Sequence, residues 1–117
     1  VDSFQGNLIF TGHYSLPIRE NYSFEIIAFE KGIPEKQKNL FSHYILIESD
    51  PNKCLERRKK DLYRLRDISL ERIKLEMDVE RAFYHYDSMQ SLNKRVQNNC
   101  LEEATNEVIT FFENILS

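Results

Sequence analysis

Between Tyr44 and Lys60 the chain makes one abrupt change of character. The apolar run Tyr44-Ile-Leu-Ile-Glu48 gives way to Ser-Asp50-Pro51 and then to the basic Asn52-Lys-Cys-Leu-Glu-Arg-Arg-Lys-Lys60. The run is short, compact and rich in β-branched residues, which predicts a strand over 44–48. Its near-continuous apolarity suits a parallel strand covered on both faces. Asp50 as N-cap and Pro51 at the first helical position then start a helix, predicted to reach about Arg66. Parallel neighbours need a crossover connection, so this step points to alternating strands and helices in an α/β fold.

The flanking segments fit a partial parallel sheet flanked by helices. Asn7-Leu-Ile-Phe-Thr11 reads as a short buried strand stopping at Gly12, and Ser15 to Ser23 as polar and irregular. Phe24–Phe29 is a second strand candidate, Lys31-Gly32-Ile33-Pro34 a turn, and Glu35–Leu40 a short helix. A long helix is predicted from about Ser69 to Ser88, with Leu70, Ile73, Met77 and Tyr84 along one stripe. Asn93–Gln97 reads as a short strand centred on Val96. Asn99 with Glu102 three residues on has the form of a capping box. The last helix carries Leu101, Ala104, Val108, Phe111, Phe112 and Ile115 on one face. Few strands are available, so the sheet should be thin. The chain divides into a strand-rich part (7–48), a basic helix (50–67) and C-terminal helices (69–117).

A length of 117 residues sets one domain or a piece of one, long enough for a hydrophobic core. The sequence begins at Val1 rather than Met, as a processed or excised chain would. No apolar run approaches the length of a membrane span, and no signal peptide is visible. Cys54 and Cys100 form neither a disulfide framework nor a zinc motif, which suits reduced thiols in a cytoplasmic protein.

Charge is distributed unevenly. From Lys53 to Arg66 there are seven basic residues against two acidic ones, a surplus of five; the whole chain is −3, so the remainder carries −8. The net acidity argues against dedicated nucleic-acid binding, and no aromatic interleaving supports base stacking. On a helix, Lys53, Arg57, Lys60 and Arg64 share one face, and Leu55, Leu62 and Leu65 another. Guanidinium groups grip phosphate oxygens in bidentate fashion. A solvated helix face with snorkelling side chains is the plainer alternative.

Strand, Glu48-Ser-Asp-Pro51, then Cys54-Leu-Glu-Arg-Arg-Lys-Lys-Asp-Leu-Tyr-Arg-Leu-Arg-Asp67 resembles the lid segment of P-loop nucleoside monophosphate kinases, especially adenylate kinases of the archaeal type. Asn7-Leu-Ile-Phe-Thr-Gly-His13-Tyr resembles their His-containing strand end, Gly32-Ile33-Pro34 their Gly-Leu-Pro, and Val96 to Val108 their last strand and closing helix. The resemblance implies phosphoryl transfer from ATP, with Mg²⁺, to a nucleotide substrate. It implies lid roles for Arg57, Arg58, Arg64 and Arg66, an acceptor-side position for His13, Gly32 and Pro34, and a place near the donor base for Asn98 and Asn99. Two departures stand out. No Gly-x-x-x-x-Gly-Lys-Ser/Thr cradle occurs in the chain. Thr11, followed by Gly12, stands where the family has an acidic residue. The phosphate-binding half would lie upstream of Val1, and this chain alone is not expected to catalyse transfer.

The rival expectation is a non-catalytic interaction module, holding an acidic partner through the basic helix and the aromatic cluster Phe83, Tyr84, Tyr86. That cluster, with His85 among it, reads more naturally as core, but exposed it would suit a homodimer. His43 reads as structural. Glu48 and Asp50 are near enough for acid–base or Mg²⁺ work, but Asp50 already has a capping task.

Overall fold

The computed structural model describes residues 8–21 and 23–116. The fold is mixed α/β, with one small antiparallel sheet, one small parallel sheet and three α-helices among the described residues. Strands β1 (Ser15–Arg19) and β2 (Ile26–Lys31) form an antiparallel pair. A 3₁₀ turn at Glu35–Leu40 leads into β3 (His43–Glu48). Helices α1 (Pro51–Lys60) and α2 (Leu70–Ser88) form the crossover to β4 (Leu92–Gln97), which runs parallel to β3. Helix α3 (Leu101–Leu116) closes the chain.

The register pairs Tyr44 with Asn93 and Leu46 with Arg95 on one face, and Ile45 with Lys94 and Ile47 with Val96 on the other. The first face builds the core. Tyr44 and Leu46 pack with fully buried Tyr84 of α2, bordered by Tyr14, Ile33 and Phe41. The Tyr84 hydroxyl donates to Asn93 Oδ1 at 2.9 Å, which ties α2 to β4 without stranding a buried polar group. Helix α3 packs on β4, with Ala104 buried. The Phe111 ring meets His43 at 6.3 Å between centroids. Parallel pairing is as expected, but covering is incomplete, because Ile47 at the C-terminal end of β3 stays exposed.

The N-terminal strand falls elsewhere than expected. Residues 8–11 are exposed and form no strand, and Asn7 lies outside the described residues. Among the described residues no strand pairs with them, and Phe10 instead sets its ring edge-on to Phe41 at 5.4 Å. The strand forms at Ser15–Arg19, within the segment Ser15 to Ser23 expected to be irregular. A two-stranded pair tolerates Pro17, since each strand has an open edge for the missing donor. Glu80 of α2 anchors its start by accepting from Tyr14 N–H (2.8 Å), Ser15 N–H (3.0 Å) and the Ser15 hydroxyl (2.9 Å).

Candidate functional site: a basic helix and its apolar loop

Helix α1 starts as its sequence dictates. Asp50 Oδ1 accepts from Asn52 N–H at 2.8 Å, and Pro51 opens the helix. It ends earlier than the charge spacing suggests. At Asp61 the backbone turns extended, and the Asp61 carboxylate accepts from Tyr63 N–H at 3.0 Å. This local turn competes with the helix and wins. Helical phase therefore stops before Leu62, so Arg64 does not continue the row of Lys53, Arg57 and Lys60. Nor do Leu62 and Leu65 continue Leu55; they are each 89% exposed, and Tyr63 between them is 97% exposed.

Carboxylates fix both ends of the segment from Asp61 to Ser69. Asp61 Oδ2 lies 3.5 Å from both Arg64 and Arg66. The Tyr63 N–H bond, aided by the arginine, holds its carboxyl below the usual range. At the far end Asp67 is buried. Its carboxylate accepts from Arg72 Nε at 2.8 Å, Arg72 Nη2 at 3.1 Å and Ser69 N–H at 3.0 Å, with Arg19 at 3.7 Å. Burial alone would raise this carboxyl, but the Arg72 and Ser69 bonds outweigh it and hold it low.

The predicted arginines separate in role. Arg58 turns inward, 3.5 Å from Glu76 and donating to the Asp67 carbonyl at 3.0 Å. Glu76 also pairs with Arg19. Arg58 is thus a structural clasp between α1, the loop and α2. Arg57 is exposed, as are Lys53, Lys59 and Lys60. Among the described residues no carboxylate pairs with any of these four. The segment thus carries a group of uncompensated cations on α1, followed in the chain by three large exposed apolar side chains on a loop stapled at both ends.

The other candidates lie apart from this surface. His13 is exposed and meets Gly32 through the backbone: a Cβ on Gly32 would stand 1.7 Å from the His13 carbonyl oxygen. Gly32 N–H donates to the Tyr14 carbonyl at 2.9 Å, and Pro34 precedes the 3₁₀ turn. Among the described residues no hydrogen bond, ion pair or ring contact joins His13, Gly32 or Pro34 to the four arginines. Asn98 N–H donates to the Glu48 carbonyl at 2.6 Å, tying the end of β4 to the end of β3. Asn99 is exposed beside it, and the first helical bond of α3 runs from Ala104 to Cys100, so Cys100 takes the cap position expected for Asn99.

Glu48 is committed elsewhere. Its carboxylate accepts from Arg81 and Arg95, each at 2.7 Å, and from Gln97 at 3.3 Å. Burial pushes its carboxyl up, but the Arg95 and Arg81 bonds hold it below the usual range. Among the described residues no three His, Cys, Asp or Glu side chains gather closely enough for a metal ion.

The aromatic cluster divides between core and paired surface. Tyr84 is core, and the Tyr86 ring is faced by Lys38 at 3.9 Å and Lys31 at 4.4 Å, with its hydroxyl donating to Glu35. A cleft of about 380 Å³ beside it is lined by Phe41, Tyr44, Tyr86 and Asp87, and by none of the predicted arginines, His13, Gly32, Pro34, Asn98 or Asn99. Lys31 pairs with the buried Asp87 carboxylate through Oδ1, and Oδ2 has no hydrogen-bond partner among the described residues.

Asp61 and Asp67 escaped sequence reasoning. Their signal was an Asp two residues before a free backbone N–H, at Asp61-Leu-Tyr63 and Asp67-Ile-Ser69. No protein-family model matches this sequence, and no curated protein matches it. No helix among the described residues is long and apolar enough to cross a membrane.

Proposed function

We propose that this protein is a non-catalytic interaction module that docks an acidic partner on α1 and the loop behind it. The observation that carries the reading is the pairing of unmatched cations with apolar side chains in one continuous segment. Lys53, Arg57, Lys59 and Lys60 stand exposed on α1, and Leu62, Tyr63 and Leu65 stand exposed on the loop that directly follows it. Charge steers an acidic partner to this surface, and desolvation of the apolar side chains holds it there. The aromatic residues of α2 contribute to folding rather than docking.

Titration with a polyglutamate peptide tests this. Binding should weaken steeply as salt rises, since the cations are exposed and screened. Replacing Lys53, Arg57, Lys59 and Lys60 together by alanine should weaken it at least about tenfold. Binding unchanged by that variant contradicts the reading.

A nucleotide-kinase-like lid is the second reading. One observation favours it: the basic segment lies in the crossover between two parallel strands, and α/β proteins place ligands beyond the carboxyl ends of such strands. Arg57 and Arg64 would then contact phosphates. The donor set does not suit ATP with Mg²⁺, because Glu48 is taken by two arginines and the chain has no Gly-rich phosphate cradle. Calorimetry with ATP, AMP and a bisubstrate analogue separates the readings: heat abolished by Arg57→Ala supports a lid, and no heat removes it.

A further inference from the structure

We propose that the acidic partner of the α1 loop is helix α3 of a second copy of this chain, which deepens and rests on the docking reading above. Helix α3 carries Glu102, Glu103, Glu107 and Glu113 and no lysine or arginine. It is the charge complement of Lys53–Arg66 within the same sequence. Its apolar arc is also wider than the sheet beneath it uses. Ala104, Val108, Phe111 and Ile115 turn toward the sheet, buried or half-buried. At 100° per residue, Leu101, Ile109 and Leu116 fall on a second edge beside that face. Leu101 is 75% exposed, and Ile109 and Leu116 are also exposed. Glu102 and Glu113 flank this edge.

Each surface supplies what the other lacks. The loop offers Leu62, Tyr63 and Leu65 directly after Lys59 and Lys60, which are exposed and, among the described residues, unpaired; α3 offers an apolar edge bordered by carboxylates. The exposure of both sets shows that they do not cover one another within one copy. Such a contact is two-fold if both loop–α3 pairs form at once between two copies, and head-to-tail if only one does. The charges around its rim would set orientation and association rate, and the apolar side chains its lifetime.

Sedimentation equilibrium of the full 117-residue chain tests this, at about 50 mM and about 500 mM salt, on either side of strong screening. The mass should rise above 14.0 kDa with concentration at low salt and fall back toward it at high salt. Lys59→Glu with Lys60→Glu should leave a monomer, and so should Glu102→Lys with Glu113→Lys. All four positions are exposed, so circular dichroism should show both variants folded. Mixing the two variants should restore association, because the acidified loop of one then meets the basic α3 of the other. A wild-type chain that stays monomeric throughout overturns the proposal. So does association that survives either reversal, or variants that stay apart when mixed. A monomer that binds polyglutamate overturns this inference and leaves the docking reading standing. A monomer that binds only phosphatidylserine vesicles assigns the loop to a lipid surface and overturns both.

Discussion

Asp67 anchors the Asp61–Ser69 loop from a buried position. Its buried carboxylate gathers Arg72, Arg19 and the Ser69 N–H. Removing it leaves guanidinium groups without their partner. Because those arginines are partly hydrated, Asp67→Ala should cost about 2 kcal/mol, below the range for fully buried pairs, measured by urea unfolding. The pH dependence follows from the same groups. Asp67 and Glu48 both have carboxyls held low by their arginines, so the folded chain binds fewer protons than the unfolded one. Their contribution is present above the unfolded carboxylate range, near pH 4, and is lost as pH falls through the lower folded values. Unfolding midpoints should therefore drop steeply below about pH 4, and Asp67→Asn should flatten that slope. Gly32→Ala should be severe for a different reason. Its methyl group would meet a backbone oxygen, so β2 and the chain at His13 must separate, at a cost of about 3 kcal/mol.

At the level of elements, the starts of α1 and α2 and the ends of α2 and β3 were legible, but the end of α1 was not. Asp50-Pro51 and Ser69 announce helix starts because capping is local chemistry, written in adjacent residues. The end of α1 was not legible because two local signals compete. Leu55, Leu62 and Leu65 have helical spacing, yet Asp61 diverts its carboxylate to Tyr63 N–H and ends the helix. The same spacing that suggested a leucine stripe thus concealed an exposed loop. Likewise, Leu8, Ile9 and Phe10 have strand composition, but among the described residues no strand pairs with them; pairing depends on topology, not on composition. Asp61→Ala should release the turn. Hydrogen exchange at the Tyr63 amide should accelerate while amides within α2 keep their rates, and polyglutamate affinity should fall about threefold through lost preorganisation.

In the whole molecule, a small core coexists with a large apolar surface. The parallel sheet has two strands, and its central face is filled by Tyr44, Leu46 and Tyr84. Large side chains remain uncovered on the α1 loop and on α3, at opposite signs of local charge. The uneven charge was visible in the sequence, since a +5 segment in a −3 chain needs only counting. That Leu62, Tyr63 and Leu65 stand exposed was not, because it depends on where α1 stops. Hydrogen-exchange footprinting with saturating acidic peptide of glutamate and leucine tests the docking surface most directly. The account predicts slowed exchange across residues 53–66, with the β1–β2 hairpin unchanged. Protection elsewhere, or on ATP but not on the peptide, would contradict it.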